Sequence, residues 1–145
     1  YPRPHTTIPM YDPDLVQPMR EEVTRLGVKE LKTPQEVESA VQKPGTTLIF
    51  VNSVCGCAAG GARPGLKLSL LNKKKPENLF TVFAGMDGPA VEKAREFFRP
   101  YRPSSPQIAL MKDGKLVKML QRQDIEGKDP ATIARSLTEA FDQYC

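Results

Sequence analysis

Thr47-Leu48-Ile49-Phe50-Val51-Asn52-Ser53-Val54-Cys55-Gly56-Cys57 is the stretch on which the reading of this chain turns. From Thr46 to Asn52 it is β-branched and apolar without alternation, the pattern of a strand buried on both faces. It then delivers two thiols separated by one glycine. Small residues follow from Ala58 to Ala62. After them Leu66, Leu68, Leu70 and Leu71 continue as a helix closing on Lys73-Lys74-Lys75. A buried strand that empties into a cysteine pair ahead of a helix is a seat for thiol redox chemistry. The helix start offers free amide donors and the positive end of a dipole, both of which favour thiolate over thiol. Because the thiolate is the attacking species in disulfide exchange, Cys55 is the expected nucleophile, ionising below the ~8.5 of a free cysteine. Cys57 lies within reach to resolve the mixed disulfide. Cysteines this close can bond only in a small ring, which makes a poor staple and an easily reduced disulfide. Gly56 is expected to supply the backbone freedom such a ring needs.

Upstream of this stretch, Asp12-Pro13 offers a cap and a first-turn proline. Leu15, Met19, Val23 and Leu26 then recur at helical spacing until Gly27. Pro18 falls close to the start of that helix, where it is tolerated or kinks it. Thr33-Pro34-Gln35-Glu36 has the capping-box pattern of a second helix, with Val37, Ala40 and Val41 inward and Pro44-Gly45 as its end. Downstream, Leu79 to Ala84 reads as a second buried strand. Pro89 to Phe98 reads as a helix with Val91, Ala94, Phe97 and Phe98 on its inner side. Gln107–Met111 and Lys115–Gln121 flank Asp113-Gly114, a two-residue hairpin signal. Asp129-Pro130 opens a last helix with Ile133, Leu137, Ala140 and Phe141 towards the core. A parallel crossover followed by an antiparallel hairpin gives an α/β fold, a four-stranded mixed sheet flanked by helices. This order is similar to the thioredoxin-like arrangement, here with two additional N-terminal helices. The expected organisation is an extended, proline-rich arm over residues 1–11 and a single thioredoxin-like domain over residues 12–145.

A chain of 145 residues, 39% hydrophobic and 26% charged, can bury a sizeable core in one domain. No apolar run approaches the ~18 residues needed to cross a bilayer, and Tyr1 to Pro18 holds no continuous apolar stretch that could act as an export signal. No membrane association is expected, and the cytoplasm is the expected location. The net charge of +4 is mild and the cations are dispersed among 17 acidic residues, so no nucleic-acid partner is expected. The three lysines at 73–75 read as favourable charge at a helix C-terminus. Gly60, Gly61 and Gly65 lack the Gly-Lys-Ser/Thr of a phosphate loop and read instead as a place where a helix packs closely. Pro64 kinks that helix or marks its true start. Three cysteines form no disulfide framework, and in a reducing compartment thiols are more often catalytic, sensing or metal-binding. Zinc or an iron–sulfur cluster normally takes four ligands, whereas the chain holds those three thiols and His5, which lies in the arm. No metal site is therefore expected, although a metal-binding or metal-delivery module with ligands shared between chains is the alternative reading. A non-enzymatic redox sensor is a third. Cys145, at the end of the last helix, is expected to be a spectator: pairing with Cys55 needs Cα atoms within ~7 Å.

Val51 to Gly60 with Ala62-Arg63-Pro64 closely resembles the bacilliredoxins, small bacterial thioredoxin-like proteins with a Cys-Gly-Cys site. The likeness extends through Thr81-Val82-Phe83-Ala84-Gly85, Pro103-Ser104-Ser105-Pro106, Ile125-Glu126-Gly127 and the ending Leu137-Thr138 to Phe141 and Cys145. It covers the chain from about Asp14 onward. The resemblance implies a thiol–disulfide oxidoreductase that removes bacillithiol from S-bacillithiolated proteins, and for some members a disulfide isomerase. It implies Cys55 as the attacking cysteine, Cys57 as the resolving one and Ser105-Pro106 as a cis-proline segment, the backbone before which pairs with substrate. Read locally, Pro106 is a turn proline at a strand entrance; with the cysteine pair where the fold expects it, the cis form is favoured. Gly56, Ser105, Pro106 and Arg63 are the candidate substrate-binding residues, Arg63 being the nearest cation in sequence for an anionic substrate. No bound cofactor is expected. A low-molecular-weight thiol, bacillithiol, would be the co-substrate and S-thiolated client proteins the partners of a monomer or weak homodimer.

Overall fold

A computed structural model describes residues 10–145. The expected arm falls mostly on residues 1–9, and those residues, His5 among them, lie outside the described residues. In chain order the elements are α1 (Pro13–Thr24), β1 (Lys29–Glu30), α2 (Pro34–Val41) and β2 (Thr46–Asn52). A π-helical segment (Ala58–Ala62) runs into α3 (Arg63–Ser69), followed by β3 (Asn78–Phe83) and α4 (Gly88–Phe97). Then come β4 (Gln107–Lys112), β5 (Lys115–Leu120), α5 (Arg122–Ile125) and α6 (Pro130–Tyr144).

The sheet runs β1-β3-β2-β4-β5. β2 pairs parallel with β3 and antiparallel with β4, which turns back into β5. All of β2 is buried, because it is the central strand of a sheet covered on both faces. Its alternate side chains divide between two layers. Leu48 and Phe50 join Leu66, Ile133, Leu137 and Phe141 under α3 and α6. Ile49 and Val51 join Val37, Val41, Val91 and Ala94 under α2 and α4. The β4–β5 turn places Asp113 and Gly114 at φ 50° and 81°, the left-handed pair that this hairpin type requires. Asp129 accepts the Thr132 N–H at 2.8 Å, and Thr33 and Glu36 form the reciprocal cap of α2.

Three expectations are corrected. The sheet has five strands: Lys29-Glu30, too short to show any period, pairs parallel with Phe80 and Thr81. α1 turns Val16, Arg20 and Val23 inward while Leu15 is 56% exposed. Arg20 is drawn in by charge, since its guanidinium bonds Asp87 at 2.9 and 3.0 Å, pairs with Glu30 and lies over the Phe83 ring. Burial works against that charge, but the bonds and fields of Asp87 and Glu30 outweigh it and raise the Arg20 pKa. Finally, α3 stops at Ser69, so Lys73-Lys74-Lys75 lies beyond the helix, and Leu68 and Leu71 are exposed. The last turn tightens through Leu71 N–H to Leu68 O and Asn72 N–H to Ser69 O. The Asn72 amide then holds the turn by donating to Lys74 O and Asp142.

The small residues after the cysteines do set a close approach. A Cβ on Gly65 would meet Ile133 at 2.8 and 2.9 Å and the Pro130 carbonyl at 3.2 Å, whereas one on Gly60 would meet nothing within 4 Å. Overpacking costs about 1–3 kcal/mol and exceeds the ~1 kcal/mol that alanine returns in helix propensity. Gly65→Ala should therefore lower the urea midpoint while Gly60→Ala leaves it equal or higher. Equal midpoints for the two variants would show that α3 and α6 do not need this contact.

Candidate active site

β2 ends at Asn52, in the middle of the sheet, and the chain turns there through side-chain bonds to its own backbone. The Asn52 side-chain oxygen accepts the Ser53 N–H at 2.8 Å, and the Ser53 hydroxyl accepts the Cys55 N–H at 2.9 Å. The Cys55 carbonyl then accepts from Ala58 N–H (2.9 Å) and Ala59 N–H (3.2 Å), so the helical run starts at Gly56. Cys55 and Cys57 are joined by a disulfide with Cα atoms 5.3 Å apart; both are half-buried, and Gly56 between them is exposed. The Cys57 N–H points at Cys55 Sγ, 3.4 Å away. When the bond is broken, that amide faces the Cys55 sulfur and favours its anion.

Gly56 is not among the glycines with positive φ, and a Cβ there would meet nothing within 4 Å. The freedom expected of it is not used in the closed ring; its smallness instead leaves the exposed side of the cysteine pair uncovered. The segment after it widens into a π-helix, with the Arg63 N–H bonded to Ala58 O. Pro64 explains this. It has no N–H to offer Gly60, and its ring would crowd the Gly60 carbonyl in a regular α-helix, so a widened turn takes up the mismatch. α3 proper begins at Arg63 with Pro64 in its first turn.

Arg63 is 3% exposed, and this corrects the expectation that it meets an anionic substrate. Its Nη1 donates to Ser53 O at 2.8 Å and Asn52 Oδ1 at 3.0 Å, and its Nε donates to Glu22 at 2.9 Å. The Asn52 amide donates in turn to Met19 O at 3.1 Å. Arg63 thus clasps the loop before Cys55 to α1 from beneath. Glu22 and Met19 of α1 were invisible as site residues in the sequence, since their partners lie tens of residues away.

The Ser105-Pro106 bond is cis, as is Arg99-Pro100. The antiparallel register that pairs Val51 with Gln107 brings Ser105-Pro106 to the end of the sheet that carries the cysteine loop. Ser105 is half-buried and Pro106 buried. Ser104, just before them, accepts a bond on its carbonyl from Arg95 at 3.0 Å.

Cys145 sits elsewhere. Its thiol meets Thr46, the first residue of β2, whereas the cysteine loop follows the last. At ~3.3 Å per residue the strand separates the two by ~20 Å. Burial pushes the Cys145 thiol up from its ordinary value, against the pull of the Thr46 hydroxyl and Lys112. Cys145→Ser should retain most turnover, and iodoacetamide should label Cys145 more slowly than a small free thiol at neutral pH. A large loss of turnover with an unchanged circular-dichroism spectrum would make Cys145 part of the site. Among the described residues, no group of three or more His, Cys, Asp or Glu is placed to hold a metal, and no helix is long and apolar enough to cross a membrane.

This sheet, with a cysteine pair where its central strand meets a helix and a cis-proline at the neighbouring strand's entrance, defines a thioredoxin-fold thiol–disulfide oxidoreductase. The fold is shared with mitochondrial thioredoxin 3 of Saccharomyces cerevisiae in its oxidised form (TM-score 0.54, 15% identity, 84% of this chain and 98% of that one). It is shared also with the thioredoxin of Fasciola hepatica (TM-score 0.53, 19% identity, 81% and 100%). The chain belongs to the bacilliredoxin family: the family model described as disulphide isomerase matches residues 11–145. It is 49% identical over 137 residues to a bacilliredoxin of Geobacillus kaustophilus, covering 94% of each chain. It is 52% identical over 134 residues to a bacilliredoxin of Cytophaga hutchinsonii, covering 92% of this chain and 99% of that one.

Proposed function

We propose that this protein removes bacillithiol from S-bacillithiolated proteins. The reduced Cys55 thiolate attacks the bacillithiol sulfur of the mixed disulfide. The bond to the client sulfur breaks, the client leaves as thiolate and takes up a proton, and bacillithiol is now joined to Cys55. Cys57, as thiolate, attacks the Cys55 sulfur and expels bacillithiol, leaving the Cys55–Cys57 disulfide. Two equivalents of a reducing thiol, or one of a dithiol reductant, return the pair to its starting state. The observation that carries this reading is the bonded pair itself, with the Cys57 amide aimed at the Cys55 sulfur. That geometry is the product of the resolving step. Ser105-Pro106, and the open side left by Gly56, are where an extended client would lie.

Such a cycle needs reduced thiols, and we assign it to the cytoplasm, with S-thiolated proteins as partners, no bound cofactor, and a monomer or weak homodimer as the working form. The family's description favours isomerisation of protein disulfides as a second reading. The test is parallel incubation of the reduced protein with one client carrying bacillithiol and one carrying glutathione, following release of each thiol by mass. Release of bacillithiol in excess of glutathione is expected. Release of neither, with rearrangement of a scrambled disulfide protein, would favour isomerisation.

A further inference from the structure

Beside the cis-proline, residues 102–104 and the turn after β5 face each other across a groove of about 520 Å³, lined by Arg102, Pro103, Ser104, Gln121, Arg122 and Glu126. Its two walls are fixed from beneath. Gln107, fully buried, donates its amide to the Arg102 carbonyl at 3.2 Å and to Gln121 Oε1 at 2.7 Å. The Ser104 hydroxyl donates to that same Gln121 oxygen at 3.2 Å and accepts the Arg122 N–H at 3.3 Å. Both sides of the groove therefore hang on one small network, and the groove is formed before anything enters it.

Its charge is available. Arg102 is exposed and has no ion pair among the described residues. Among the described residues Arg122 pairs only with Glu126, one helical turn away at 3.2 Å, with the two side chains 47% and 60% exposed. A pair so open to water contributes under ~1 kcal/mol and can be exchanged for a better anion. A second hollow of about 330 Å³ on the other side of Arg102 adds Arg95 and Arg99, together with Glu92 and Glu96. Both acids are already engaged, Glu96 with Lys93. The groove lies next to Ser105-Pro106, at the end of the sheet that carries Cys55.

We propose that this groove holds the carboxylate-bearing part of the small thiol, with Arg102 and Arg122 as its partners, while the thiol's sulfur is at Cys55. The proposal rests on the dethiolation reading and deepens it. A guanidinium matches a carboxylate through two parallel N–H bonds, so two of them across a preformed groove select a thiol by the acid groups it carries. The groove's volume is that of a small-molecule site.

One peptide, carrying bacillithiol, glutathione or cysteamine on its single cysteine, tests this. Cysteamine has no carboxylate. The reduced wild type and Arg102→Ala/Arg122→Ala are compared by the rate at which each thiol is released. The double variant should lower the ratio of bacillithiol to cysteamine release about tenfold, and Arg102→Glu should lower it further. Added salt should shrink the ratio in the wild type. An unchanged ratio, or an equal loss for all three thiols, overturns the assignment. A second peptide set with acidic or neutral flanks separates the thiol's carboxylates from the client's: selectivity that follows the flanks alone overturns it as well. If the wild type releases neither bacillithiol nor glutathione, the dethiolation reading itself falls and takes the groove assignment with it. Arg102→Ala alone, which removes one exposed side chain, keeps the measurement meaningful should the double variant unfold.

Discussion

Cys57→Ser is expected to free one equivalent of client and then stop, with bacillithiol held on Cys55 and visible as an added mass. Cys55→Ser is expected to lose attack, at least ~10³-fold in turnover, because the thiol that remains, Cys57, is not the sulfur that the loop's amide faces. The asymmetry comes from the loop's geometry. The Cys55 backbone is pinned through Ser53, and the Cys57 amide faces the Cys55 sulfur, so charge is better supported on Cys55 than on Cys57. Mass spectrometry of both variants after one incubation decides the matter. An adduct on Cys57 in the Cys55→Ser protein, with none in the reverse variant, would exchange the two roles.

The second large effect is on stability. Arg63→Ala should cost about 3 kcal/mol, because it leaves the buried Ser53 carbonyl without this donor and empties a closed space under the cysteine loop. Glu22→Gln should cost about 1 kcal/mol or less, since Glu22 is 45% exposed and water can replace its contact. Urea unfolding of the two variants measures the difference. An Arg63→Ala loss within about 0.5 kcal/mol, the range of an ordinary surface change, would mean that the loop is held by its own short-range bonds alone. Arg63→Ala should also slow attack by Cys55, since the backbone that presents it is no longer anchored to α1.

What could be read from the sequence followed from local chemistry. β2 was legible because its apolar run is continuous, the cysteine loop because it follows that run, and the hairpin because Asp113-Gly114 allows few other turns. The caps of α2 and α6 were written in Thr33, Glu36 and Asp129. The rest depends on partners distant in sequence. β1 has two residues and exists only because β3 offers them an edge. The inner face of α1 could not be found from its apolar residues, since a buried arginine sits on it, paid for by Asp87 67 residues away. Arg63 looked like a substrate contact because sequence distance says nothing of burial. The groove beside Ser104 depends on Gln107 meeting Gln121 across two strands, a pairing no motif announces.

α1 is fixed through three residues within one helical turn, two of which reach the site. Met19 takes the Asn52 amide, Glu22 takes Arg63, and Arg20 between them locks onto Asp87 and Glu30. This N-terminal helix is therefore the buttress of the reactive loop and not an appendage to the sheet. A fragment trimmed to begin at Val28 would retain both reactive cysteines, the cis-proline and the whole five-stranded sheet, and would still have lost the foundation on which Cys55 is aimed.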